Sequence, residues 1–322
     1  MSGRSVVAFL VVSFAVAGAA GAAEKYPSRP IRMLVPFSAG SQTDILARWM
    51  GEKITDASGQ QVVVDNRPSA GGTIASQHVL GANPNGYTLM MVSTGHAGNA
   101  TLYSKLPYDT VKDFSGITRV ASVPNLLIVG PGLGVKSVKE LITLAKSKPG
   151  QINFSSAGVG SGTQINGEMF KVAAGFEATH VPYKGAPESL NETATGRVHF
   201  TFSPILVAVG QVKAGRVVVL AVSTAKRSAM FPNVPTVAEA GVPGFDYDQW
   251  YGLLASAQTP RPLVKVVNQE MVRVLNLPDI KERMLTQGAT PTPTTPEEFD
   301  AFIRSEVKRF AKVLIAAGAR IN

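Results

Sequence analysis

The chain has no cysteine in its 322 residues. A disulfide framework, a thiolate nucleophile and a thiolate metal site are therefore all excluded. Charge is sparse too: Asp, Glu, Lys and Arg make up 16% of the sequence, and no run of five Lys or Arg occurs. The net charge of +9 is thus spread over a solvated surface with weak attraction for anions, and no nucleic-acid partner is expected. The four histidines, His78, His96, His180 and His199, stand apart in sequence. No H-E-x-x-H, G-x-S-x-G or G-x-x-x-x-G-K-[ST] pattern is present, so no catalytic residue, metal site or cofactor is expected.

Long apolar runs are missing after the first 23 residues. Within them, Arg4 precedes the apolar stretch Val6 to Ala17, which is short of the roughly 20 residues that span a bilayer. Ala20-Gly21-Ala22 then fits a small-residue cleavage site. The expectation is a signal peptide over 1–23, cut near Ala22 or Ala23, with an uncleaved anchor as the alternative.

What the chain does have is α/β patterning, with hydrophobic residues at 45%. Apolar runs at Ile31 to Pro36, Val62 to Val64 and Tyr87 to Val92 alternate with helix-period segments such as Leu46, Trp49, Met50 and Ile54. That order implies right-handed crossovers and a parallel sheet. A second series starts near Asn125, with strands expected at Leu126 to Val129, Ile152 to Phe154, Thr179 to Val181, Val198 to Phe202 and Val217 to Val222. From Val234 the tail reads as mainly helical, with capping boxes at Thr236 to Glu239 and Thr295 to Glu298. Two series and a returning tail suggest two lobes joined by more than one crossing.

Two strand-to-helix loops carry the functional signal. One is Pro36 to Asp44 and the other Ser155 to Thr163. Both are small and polar, free of Lys and Arg, and run into a helix start. Unpaired first-turn N–H groups and the helix dipole suit such a loop to an anion. Each hydrogen bond to a charged group is worth about 1.5–3 kcal/mol, so three or four approach the ~8 kcal/mol of a micromolar complex before ordering costs. The same loops also read as ordinary turns in which Thr43 or Asp44 simply caps a helix. An acid–base role for Asp44 or His96 would need a second orienting group, and none is evident.

The segment VPFSAGSQTDILAR, Val35 to Arg48, resembles the PF-x-x-G-x-x-TD-x-x-AR signature of the substrate-binding proteins of tripartite tricarboxylate transporters, the Bug family. Further blocks resemble the family in order, among them Val62 to Ser76, Asn83 to Met91, Ser137 to Thr163, His180 to Leu190, Ser223 to Gly241 and Trp250 to Ala255. The resemblance implies a type II periplasmic-binding-protein fold: two Rossmann-like α/β lobes with mostly parallel sheets around a cleft. Lobe 1 would comprise 24–120 and 224–322, and lobe 2 would comprise 121–223. It further implies a monomeric periplasmic receptor, not an enzyme, that closes on a small organic carboxylate. The receptor would present its ligand to transporter membrane subunits or to a sensor-kinase ectodomain. Carried over residue by residue, the ligand would meet Phe37, Gly40, Ser41, Thr43 and Asp44 on one side. Ala157, Gly158, Gly160, Ser161 and Thr163 would face them, with Thr94, Tyr183, Phe202 and Ser203 lining the pocket.

The chain departs from the family pattern at Gln42, where glycine is common, and at Val159 and Gln164. It also has Ser203 where an Asp often follows the Phe. Loss of that carboxylate predicts poor binding of amino acids.

Overall fold

A computed structural model describes residues 26–316 and 318–319. The expected leader lies outside the described residues. In chain order the elements begin with β1 (Ile31–Val35), α1 (Gln42–Ser58), β2 (Val62–Asn66), α2 (Thr73–Leu80), β3 (Thr88–Ser93) and α3 (Gly95–Leu102). They continue with β4 (Phe114–Val129), α4 (Val138–Ser147), β5 (Asn153–Ser156), α5 (Gly162–Ala174), β6 (Thr179–Pro182), α6 (Ala186–Ala194), β7 (Phe200–Pro204), α7 (Ile205–Lys213) and β8 (Val218–Val222). The chain closes with β9 (Asp248–Ser256), α8 (Arg261–Leu275), α9 (Pro278–Thr286), β10 (Thr290–Pro291) and α10 (Pro296–Ala316).

The strands order as β2-β1-β3-β9-β4-β7-β5-β6, with β8 and β10 also pairing with β4. Outer strands are parallel, as the crossover pattern predicts: β1 with β2 and β3, and β5 with β6 and β7. The central strands are antiparallel, because β9 returns from the far end of the chain between β3 and β4. The sequence reading assigned that tail to helices; β9 is instead a nine-residue strand, of which Gln249 to Ser256 are buried.

Alternation sets the layers. On β1, Ile31, Met33 and Val35 face a core with Leu46, Met50 and Ile54 of α1 and Val264, Val267 and Met271 of α8, whereas Leu34 faces the other way, into the cluster holding Trp250, Phe299 and Phe310. On the second half of β4, Leu127 and Val129 join that cluster together with Phe154, Phe170 and Phe202, and Leu126 and Ile128 face Ile205 and Leu190. Helices on both faces explain why the strands read as continuous apolar runs.

The chain crosses between the two groups twice. β4 pairs β9 as far as Pro124 and pairs β7 and β8 from Asn125 onward. At the second crossing the Ser223 amide donates to the Asn125 carbonyl at 2.9 Å, and the Tyr247 amide donates to the Ser223 carbonyl at 2.8 Å. Between these points the chain stays on the second group: Val222 bridges to Thr236, and Phe245 stacks on Phe202 with ring centroids 6.2 Å apart. Segment 224–247 thus contacts the second group of strands through Thr236 and Phe245. Both expected capping boxes form. Thr236 and Glu239 exchange bonds of 2.9 and 3.0 Å, yet Gly241 and Pro243 stop the chain as a turn. At Thr295 the same exchange with Glu298 opens α10.

Candidate functional site

The two loops singled out above are built alike. Ser41 caps α1 by accepting from the Asp44 amide, and Ser161 caps α5 by accepting from the Gln164 amide. Each cap hydroxyl lies 3.0 Å from a threonine hydroxyl two residues on, Thr43 in the first loop and Thr163 in the second. In each, the side chain three residues past the cap reaches back to a glycine amide: Asp44 to Gly40 at 2.9 Å, and Gln164 to Gly160 at 2.7 Å. Both glycines have positive φ, +77° and +76°, which a Cβ would strain. The caps are thus Ser41 and Ser161, and Ser41 stands two residues ahead of Thr43 and three ahead of Asp44, the positions expected from sequence.

The helix starts face each other across a narrow cavity whose free space is about 20 Å³, roughly that of one water. Phe37, Ser41, Gln42 and Thr43 line it from the first loop, and Ala157, Ser161, Gly162 and Thr163 from the second. Ser93, Ala186, Pro204, Gln249 and Tyr251 complete the wall. No charged side chain lines it among the described residues. Its polar groups are first-turn amides, hydroxyls and the side-chain amides of Gln42 and Gln249.

Six of the sequence-predicted residues line this cavity: Phe37, Ser41, Thr43, Ala157, Ser161 and Thr163. Gly158 and Tyr183 line a neighbouring cavity that shares Ala157. The others take different positions. Gly40 and Gly160 spend their amides on Asp44 and Gln164. The Asp44 carboxylate is consumed within its own lobe by Gly40, Arg48 and Asn66. Burial opposes its ionisation, but those donors outweigh it and hold the carboxyl below its usual range. Thr94 is fully buried and bonded to the Trp250 amide at 3.1 Å. Phe202 packs in the core against Phe245 and Phe170. Ser203 is buried, and its hydroxyl has no partner among the described residues.

Sequence reasoning missed Ser93, Gly162, Ala186, Pro204, Gln249 and Tyr251. The last two come from the unrecognised strand β9. There the Asn125 amide donates to Gln249 at 3.0 Å and the Gln249 amide donates to the Tyr251 hydroxyl, which leaves the Tyr251 proton free for a group in the cavity.

The lobes touch at both rims. On one side the Ser38 amide donates to the Lys184 carbonyl at 3.1 Å and its hydroxyl to Glu188 at 3.0 Å. On the other, Gly95 at the start of α3 lies so close to the second loop that an added Cβ would overlap the Gly160 carbonyl.

His96 takes no part in the cavity. It is buried, its Nε2 lies 2.9 Å from the Thr110 carbonyl oxygen, and its ring meets Phe114 edge-on. Burial pushes its pKa down to about 4. Above pH 6.5 the folded and unfolded forms are both neutral there. Between pH 6.5 and 4 only the unfolded chain takes up the proton, so stability falls as pH drops, by about 3 kcal/mol for this residue. Urea unfolding at pH 7 and pH 4.5 checks this: His96→Gln should flatten the acid loss, and an unchanged loss would count against the assignment.

A profile described as the tripartite tricarboxylate transporter family receptor matches residues 46–319. BugT of Bordetella pertussis is 32% identical over 326 residues, covering 100% of both chains. An R. palustris protein solved with adipate is 35% identical, with a TM-score of 0.88 over 92% of this chain and 100% of its own. MatC of Rhodopseudomonas palustris, solved with bound malate, is 29% identical, with a TM-score of 0.85 over 90% of this chain and 100% of its own. The chain belongs to the tripartite tricarboxylate transporter receptor family.

Proposed function

We propose that the chain is an exported, monomeric solute-binding receptor that captures a small organic carboxylate between its lobes, for the membrane subunits of a tripartite tricarboxylate-type transporter, and does no chemistry on it. One observation carries this: two helix starts with matched Ser/Thr hydroxyl pairs, Ser41 with Thr43 and Ser161 with Thr163, face each other across a cavity without charged walls. Their amides and hydroxyls are donors for carboxylate oxygens. Phe37 and Ala157 supply apolar wall, and Gly40, Asp44 and Gly160 hold the loops in shape. The relatives solved with adipate and malate agree with this ligand class.

The reading also sets a limit. A ligand ammonium would find no carboxylate in the lining, and an unpaired buried charge costs several kcal/mol. The reason extends beyond Ser203, which stands off the cavity, to the whole wall. Calorimetry against simple mono- and dicarboxylates should give micromolar or tighter binding of at least one. Glutamate and aspartate should bind at least ~100-fold more weakly. Tight glutamate binding, or no carboxylate bound at all, would overturn the proposal.

A further inference from the structure

Gln42 is the first residue of α1, it lines the cavity, and it is 2% exposed. Neither its amide nitrogen nor its amide oxygen has a hydrogen-bond partner among the described residues. Most of the other polar side chains in the wall have at least one partner. Gln249 is held between Asn125 and Tyr251, and the hydroxyls of Ser41, Thr43, Ser161 and Thr163 pair with one another. A buried amide leaves one donor and one acceptor to be met side by side, and leaving them unmet is costly.

A bare carboxylate satisfies only half of this. Its oxygens accept from the amide nitrogen, but an ionised carboxylate has no proton for the amide oxygen. An unsubstituted hydrocarbon chain behind the carboxylate adds none. The missing partner is a hydroxyl on the carbon next to the carboxylate. That arrangement presents an acceptor oxygen and an O–H donor together, on the same edge, to one planar amide.

Building on the receptor reading above, we infer that Gln42 is a specificity-determining residue and that the preferred ligands are 2-hydroxycarboxylates. The amide nitrogen of Gln42 donates to a carboxylate oxygen, and its amide oxygen accepts from the 2-hydroxyl. The neighbouring α1 amides hold the same carboxylate. Tyr251 and the second loop remain for the far end of the molecule. A site built to bond a hydroxyl rejects the analogue that lacks it, because its own polar group is then left unpaired.

Paired ligands that differ by that one oxygen supply the test: malate against succinate, and lactate against propionate, titrated into the full-length mature protein. The expected result is a preference of at least about tenfold for the hydroxy acid in one or both pairs. Gln42→Ala and the near-isosteric Gln42→Leu should each bring the ratio close to one, while their unliganded melting temperatures show the fold intact. A purely structural role would weaken both members of a pair alike and leave the ratio unmoved, which would overturn the inference. Equal binding within both pairs by the unaltered protein would overturn it too, and the receptor reading would stand. If no carboxylate of either kind binds, the receptor reading itself fails.

Discussion

Replacing Gly95 by alanine should lower ligand affinity by more than about 100-fold while leaving the unliganded protein as stable as before. The added methyl would overlap the Gly160 carbonyl, a backbone atom of the opposite lobe that cannot rotate aside. Each lobe can relieve the clash by standing away from the other, so the cost falls on closure and not on folding. A closed state disfavoured by about 3 kcal/mol reduces apparent affinity by its lost population, which is two orders of magnitude. Calorimetry reads the affinity, and small-angle scattering reads whether ligand still contracts the molecule. The opposite rim offers a contrast. Ser38→Ala removes one partly buried hydrogen bond to Glu188 and should cost less than about 1.5 kcal/mol. Wild-type affinity in Gly95→Ala would mean that the lobe contact described here is not the ligand-bound one.

Removing the twin hydroxyls should weaken binding from within the cavity. Thr43→Val and Thr163→Val keep the shape of the side chain and delete one hydroxyl from each helix start. A hydrogen bond to a charged group is worth about 1.5–3 kcal/mol, so each change should weaken carboxylate binding roughly 10–100-fold. The two threonines belong to different lobes, and independent sites add, so the double variant should lose on the order of 1,000-fold. Thr163 carries a second burden. Its hydroxyl accepts from the Ala157 amide at 2.8 Å, so Thr163→Val should also lower the melting temperature, and Thr43→Val should not. Thr43→Ser and Thr163→Ser restore the hydroxyl and should restore most of the affinity. Unaltered binding in the double variant would remove the helix starts from the site.

Much of this architecture is legible in local patterns. The two strand-to-helix loops stand out because Ser, Thr and Gly cluster between an apolar run and a helical period, and the fold brings those loops together. Local pattern fails where a residue's meaning depends on distant partners. Asp44 and Phe37 look equally available in sequence, but Arg48, Asn66 and Gly40 occupy the Asp44 carboxylate and nothing similar occupies Phe37. Gln249 and Tyr251 reach the cavity only because β9 is inserted between strands more than a hundred residues earlier. The segment around Trp250 has no alternating period, since both its faces are buried, and that erases the usual mark of a strand. At Thr236 the local signal is correct and the inference from it is not. The reciprocal cap forms, but too few residues remain before Gly241 for a helix to grow.

The insertion of β9 also dictates when the protein can fold. A chain growing from its N-terminus has made β1, β2, β3 and β4 long before Asp248 to Ser256 exist, and β3 and β4 have no ladder to each other. Their shared neighbour arrives with the last quarter of the polypeptide, and α10, which covers the same cluster of Trp250 and Phe299, arrives last of all. Such non-local pairing makes closure of the first sheet slow and late. The first sheet therefore cannot close until synthesis is nearly done.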